Sequence, residues 1–350
     1  METRKVQLSG GTTFTVSLPK QWATEQGISS GSTLYLHPDT DGTLLIEAGT
    51  HQKSEHRRVR MDVSGYDSEM LVQAVKSMYL VGVDELVLVE RNGYDDDHLE
   101  TAMDLCADLS GLEIMETTET KLVFQNIIDS SSISIRKSVL RMKLIVLAMH
   151  RDAVRAVVND DTALATRVRT RDGEVDKLFC LVTRQFERAI EDLQTVESLG
   201  TTRTELFEYY HTARQFERIA DHATKMATLT MELDGSFADE TTDEFARVAT
   251  DARRIVERAS EVVLSDVNVT TAFDILSEAS DLDAAVNELD KQLYGREDAN
   301  AAFTVGLLLD SVRRTAAYGR NIAEMGIRQA VKQREHETAT RREATRMAER

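Results

Sequence analysis

Proline occurs at positions 19 and 38 and nowhere from residue 39 to residue 350. Proline deletes a backbone donor and collides with the preceding helical turn, so its absence leaves almost the whole chain free to form long helices. Apolar residues use that freedom. From Ser132 to about residue 335 they recur at threes and fours in six stretches, near 133–159, 161–195, 201–234, 239–266, 268–295 and 300–334. "VESLGTT", "ELDGSFADETT", "SDVNVTT" and "YGREDAN" mark the breaks between them. The tail, 335–350, is strongly charged without a sustained apolar face and reads as a frayed helix or a disordered end.

Two smaller segments precede the helical one. Within 1–50, "KVQLS", "TFTVSLP", "STLYLHP" and "GTLLIEA" alternate as strands do, and Pro19 can start the short helix "KQWATEQG". About fifty residues of this kind bury too little core to stand alone, so a partner chain is expected to complete it. Residues 55–130 change period: "RRVRMDV", "DSEMLVQAVKSMYLVGV", "DELVLVE", "DDDHLETAMDLCADLSG", "LEIMET" and "TKLVFQNI" predict strand, helix, strand, helix, strand, strand. Asp95, Asp96 and Asp97 stand where acids favour the positive end of a helix. The fold class is therefore mainly α, with a small all-β N-terminal domain, a small α/β middle domain and a C-terminal array of helical bundles.

Composition narrows the function. The formal charge is −18, from 60 acidic and 42 basic residues, and 31 of the basic residues are Arg against 11 Lys. Abundant acid, scarce Lys and plentiful Thr fit a protein adapted to high salt, where surface charge serves solubility. Cys106 and Cys180 lack the company of a thiolate metal site and read as neutral thiols. The longest apolar runs, such as "LIVLAM", are too short to span a bilayer, and "METRKVQLSGG" has no signal core, so a cytoplasmic protein without membrane insertion is expected. There is no GxGxxG, P-loop, zinc spacing or Ser/His/Asp order, and an enzyme is not expected.

The helical half repeats itself. A shift of 96 residues lays "FERIADHATKMA" (216–227) over "VRRTAAYGRNIA" (312–323), matching Arg218 with Arg314, Ala220 with Ala316, His222 with Tyr318, Met226 with Ile322 and Ala227 with Ala323. A shift of 111 lays "DGEVDKL" over "DAAVNEL", matching Asp172 with Asp283, Val175 with Val286 and Leu178 with Leu289. Two three-helix units in tandem follow.

With "ERIADHA" in the third helix of a duplicated bundle, residues 133–330 resemble the PhoU family of phosphate-uptake regulators. That resemblance implies a non-enzymatic regulator that couples a phosphate transporter's state to a signalling protein or to gene expression. It also implies a divalent or iron-type metal ion on acidic motifs, here Asp172 and Asp176 with Glu217 and Asp221 in the first repeat. A transporter ATPase or a signalling protein is the implied partner. Residues 1–50 resemble the AbrB/MazE-type swapped-hairpin domain, in which two chains interleave into one small barrel. This implies a homodimer and DNA contact through Arg4, Lys5 and Lys20, joined by Gln21 and Trp22. Against DNA binding, residues 1–50 hold three basic and five acidic residues, and dimerisation alone is the other reading.

The acids have a physical case of their own. Positions i and i+4 on a helix stack on one face, so Glu217 and Asp221 present oxygens to the same spot, and a facing Asp172/Asp176 pair would complete a set suited to a hard cation. They also border the apolar stripe Ala213, Phe216, Ala220, Ala223 and Ala227. The other reading is that of ordinary helix-face acids paired with Arg218 or another arginine, since acid pairs at this spacing recur by chance. In the second repeat Asn287 replaces an acid, and Arg313 and Ala317 stand where Glu217 and Asp221 stand in the first. Metal is not expected there; Arg313 is expected to pair with Asp283 as a fixed cation. His222 reads as a packing histidine and Met226 as core.

Overall fold

A computed structural model describes residues 2–38, 42–48, 56–129, 132–232, 239–265, 268–293 and 299–348, in two compact units divided after Glu55. In the first unit, β1 (Gln7–Ser9) pairs antiparallel with β2 (Thr13–Thr15), α1 spans Lys20–Glu25 behind Pro19, and β3 (Leu34–Pro38) pairs antiparallel with β4 (Leu44–Ala48). No described side chain of this unit is buried. Leu8, Phe14, Leu36 and Leu44 are 61, 75, 58 and 52% exposed, so the hairpins carry apolar rows with nothing of their own to cover them.

The second unit begins with the α/β domain: β5 (Arg58–Asp62), α2 (Ser68–Leu80), β6 (Glu85–Val89), α3 (Asp96–Asp108), β7 (Leu112–Thr117) and β8 (Lys121–Asn126). The sheet order is β5-β6-β8-β7, with β5 and β6 parallel across the α2 crossover and the other pairs antiparallel. Asp67 and Asp95 accept from the backbone N–H groups of Met70 and His98 and so start the two helices. Leu71, Val75, Leu88, Ala102, Leu122 and Phe124 are fully buried between helices and sheet.

The helical half follows as α4 (Ile135–Asn159), α5 (Thr162–Glu191), a short α6 (Leu193–Ser198), α7 (Arg203–Glu232), α8 (Asp239–Leu264), α9 (Val269–Leu293) and α10 (Ala299–Ala348). Helices α4, α5 and α7 form one bundle and α8, α9 and α10 the other, and the two share one continuous core through α4 against α8 and α7 against α10. The expected second helix, 161–195, stops at Glu191. Asp192 leaves helical geometry and its carboxylate accepts from Gln194 N and Thr195 N, which starts α6 instead. The tail continues α10 as helix to Ala348, rich in helix-forming Ala, Glu and Arg. "ELDGSFADETT", "SDVNVTT" and "YGREDAN" lie partly outside the described residues.

The α/β domain is anchored on α5 by a buried guanidinium. Arg184 is 1% exposed, and its Nη1 donates to the carbonyls of Tyr79 (2.7 Å) and Val83 (2.8 Å). Its Nη2 donates to Asp84 Oδ1 at 2.8 Å, the oxygen that Arg188 also reaches at 2.7 Å. The Tyr79 ring lies 5.0 Å from the Arg184 guanidinium carbon, and Cys180, one turn earlier on α5, joins the α/β core. Gly82 makes the approach feasible: its φ is +88°, and a Cβ there would sit 2.5 Å from Arg188 Cγ. Replacing Arg184 by Ala strips the buried guanidinium from the Tyr79 and Val83 carbonyls and leaves Asp84 with Arg188 and the Arg57 N–H as its remaining partners. We expect a loss of about 3–5 kcal/mol in urea denaturation and faster tryptic cutting within residues 56–129, with Arg184→Lys intermediate because one ammonium cannot copy the planar fork.

Candidate functional site

The helices that carry the acids are fixed in phase by their caps. Asp161 accepts from Leu164 N at the start of α5. At the start of α7, Thr202 Oγ1 accepts from Glu205 N while Glu205 Oε2 accepts from Thr202 N, a capping box legible in "TRTE". From that start, Ala213, Phe216, Ala220, Ala223 and Ala227 all turn into the core. Glu217 is consequently half-buried and Asp221 exposed at its border, facing half-buried Asp172 and exposed Asp176 on α5.

The four carboxylates form one electrostatic group. Asp172 is pushed up to about 6, first by burial and then by the negative charges of Asp176 and Asp221. Asp221 also rises to about 6, through burial and then Glu217 and Asp176. Burial raises Glu217, opposed by Arg214 and reinforced by Asp176. Asp176 is raised by burial, with Lys76 of α2 opposing and Asp108 of α3 reinforcing. Asp172 Oδ1 and Glu217 Oε2 are buried oxygens without a hydrogen bond of normal geometry. Arg214 Nη1, one turn before Glu217, stands 3.5 Å from Glu217 Oε1. Arg218 sets its guanidinium 5.7 Å from the Tyr318 ring, and its charge, like that of Arg214, still opposes the upward shift of Glu217 and Asp221.

Desolvated, mutually repelling acids with unsatisfied oxygens are a donor set that fits a hard cation. Among the described residues, however, no three His, Cys, Asp or Glu side chains are already gathered tightly enough to form a coordination shell, so binding would require side-chain rotation. Sequence reasoning missed Arg214, whose spacing from Glu217 was readable. It also missed Lys76 and Asp108, which come from a different domain and leave no local signal.

The second repeat places Asp283, Asn287, Arg313 and Ala317 at the equivalent positions. Arg313 Nε lies 3.3 Å from Asp283 Oδ1, its Nη2 donates to Asn287 Oδ1 at 2.9 Å, and Asn287 Nδ2 donates to Asp283 Oδ2 at 3.2 Å. The expected pairing of Arg313 with Asp283 is present. Residues 139–230 match the PhoU domain. The crystal structure of PhoU from Pseudomonas aeruginosa is 21% identical over 55% of this chain and 93% of its own, with a TM-score of 0.50. The phosphate transport system regulatory protein PhoU from Streptococcus pneumoniae is 17% identical over 55% of this chain and 91% of its own, with a TM-score of 0.42. No curated protein sequence matches significantly. The P. aeruginosa likeness establishes a PhoU-like helical fold.

Inside that fold the His222 ring lies 5.8 Å from Tyr318, its own repeat equivalent, and its Nδ1 is 3.3 Å from Ser311 Oγ. Burial holds His222 down to about 4, so it is neutral and packs as a polar-tipped residue. Met226 and Ile322 are both fully buried core. Of the N-terminal residues, Arg4 and Lys5 precede β1 and Lys20 opens α1, all three exposed, with Arg4 Nη2 2.5 Å from Glu2 Oε2.

A carboxylate whose folded pKa is raised contributes stability that is complete below its unfolded value near 4 and is lost as pH rises through about 6. Asp172→Asn should therefore be more stable than the parent at pH 7 in chelator-treated samples. The advantage should disappear toward pH 4, read as urea midpoints across the series.

Proposed function

We propose that this chain is a phosphate-homeostasis regulator whose first helical bundle holds a divalent or iron-type cation on Asp172, Asp176, Glu217 and Asp221. One observation carries the reading: inside the segment that matches the PhoU domain, two helices present four partly desolvated carboxylates that raise one another's proton affinity and leave two oxygens unsatisfied. A bound cation would neutralise that repulsion. Elemental analysis of purified protein beside a Glu217→Ala, Asp221→Ala double variant tests it. Metal should fall by at least about tenfold in the variant, and equal metal in both removes these residues from the site.

The N-terminal unit extends the proposal. Its exposed apolar hairpins support a swapped-hairpin homodimer, and Arg4, Lys5 and Lys20 are then the residues that contact DNA, which makes the chain a transcriptional regulator. A second reading is an adaptor that dimerises through this unit and regulates a phosphate transporter ATPase or a signalling protein without touching DNA; it is favoured by the excess of acid over base in residues 1–50. The acidic composition supports a high-salt setting, so binding is best measured across a salt series. Under the first reading, exchanging Arg4, Lys5 and Lys20 one at a time for Ala weakens binding to promoter fragments, read by fluorescence anisotropy, and flattens the salt slope by roughly 0.9 per lost phosphate contact, while the triple exchange abolishes binding. Under the second, neither protein binds, while phosphate uptake is still misregulated in cells lacking the chain. Normal uptake in such cells at both low and high phosphate would falsify the shared core of the two readings.

A further inference from the structure

The second bundle carries a basic cavity where the first carries its acids. It lies between α9 and α10, has a volume of about 360 Å³, and is lined by Arg313, Arg314 and Arg320 together with Ser280, Asp283 and Asp310. Ala279, Ala316 and Ala317 supply much of the remaining wall, so short side chains leave the space open. By the internal repeat, Asp283, Arg313 and Ala317 occupy the positions that Asp172, Glu217 and Asp221 hold in the first bundle. The sign of the site has been inverted.

We propose that this cavity binds an oxyanion of the phosphate class, held by the guanidinium groups of Arg313, Arg314 and Arg320. Three features support it. First, Arg313 is positioned in advance: its Nη2 donates to Asn287 Oδ1 and its Nε lies 3.3 Å from Asp283 Oδ1 in an ion pair, leaving its Nη1 donors unassigned. A guanidinium already fixed in place loses little freedom on meeting an anion and offers paired donors that match phosphate oxygens. Second, the other two arginines are held only by weak exposed pairs one turn away, Arg314 Nε to Asp310 at 3.7 Å and Arg320 Nε to Glu324 at 3.2 Å. Exposed i,i+4 pairs contribute only about 0.3–0.5 kcal/mol, so both guanidiniums are available to a better acceptor. Third, three guanidiniums and two carboxylates line the cavity, a net positive wall in a chain whose overall charge is −18, and Lys225 Nζ, 3.7 Å from Asp310 Oδ2, draws on one of those carboxylates from outside. Locally the field favours an anion although the whole protein does not.

The cavity is roomy enough for a phosphate group alone or for a phosphate carried on a small molecule. The chemistry of recognition is the same for both sources. The inference does not depend on the metal in the first bundle or on a role in phosphate uptake.

Isothermal titration of the full chain in low-chloride buffer with orthophosphate, and separately with ADP, tests it. We expect saturable binding of at least one of them below about 10 mM, weakened by about tenfold or more in Arg320→Gln, an exposed position whose exchange spares the fold. Arg313→Gln should do the same, while Arg247→Gln, an exposed arginine on α8, should bind like the parent. Tighter binding of orthophosphate identifies the free anion as ligand, and tighter binding of ADP a phosphorylated molecule. No saturable heat with either anion overturns the proposal. So does undiminished binding in both Arg320→Gln and Arg313→Gln when circular dichroism shows them folded.

Discussion

The antiparallel seam between α7 and α10 is the contact on which the helical half depends. Gln215 accepts from Asn321 Nδ2 at 3.1 Å, Arg218 lies over Tyr318, and Lys225 faces Asp310, so the two helices run in opposite directions past buried Ala220 and Ala316. Small residues let the backbones approach. Gly319 on α10 carries this further toward α8, where a Cβ would come within 2.8 Å of Ile255 Cγ2 and 3.1 Å of Val256 N. Because equivalent helices meet, each bundle keeps its remaining pair, α5–α7 or α9–α10, as a flank. On those flanks the two charged sites are built.

A duplicated framework then serves two opposite electrostatic ends. In the first bundle four acids repel one another and remain partly protonatable, a state that a cation relieves. In the second, Arg313 supplies the positive charge covalently, satisfies Asp283 and Asn287, and leaves a surplus of guanidinium facing a cavity. Neither arrangement perturbs the buried stripes beneath it, since Ala220 and Ala316, and Val175 and Val286, keep the same burial in both repeats. Core and rim therefore changed independently, as residues on different helix faces can.

The α/β domain bears on the first site only. Arg184 draws the end of α2 and the start of β6 onto α5, and the same docking brings Lys76 and Asp108 toward Asp176. The anchor is a charged hydrogen-bond network in a low-dielectric junction, which fixes geometry more sharply than apolar contact would. A change at the α2–α5 junction is consequently felt as a change in the field at the acids.

Much of this was legible in sequence because it is periodic. Apolar spacing gave the helix positions, and the two offsets of 96 and 111 residues gave the duplication and the inverted character of the second site. Alternation and turn residues were enough for the eight strands among the described residues, and Asp95 announced its helix. What could not be read were contacts between residues far apart in the chain. Arg184 looks like any arginine on an amphipathic helix until Tyr79, Val83 and Asp84 close around it, and nothing local to Lys76 or Asp108 points to Asp176. By itself the sequence determined which faces are apolar and which residue types stand on their borders, since both depend on spacing within one helix. Only the tertiary structure decided which borders face each other and how far burial shifts their charge, because desolvation and Coulomb interaction depend on distances that the order of residues does not contain.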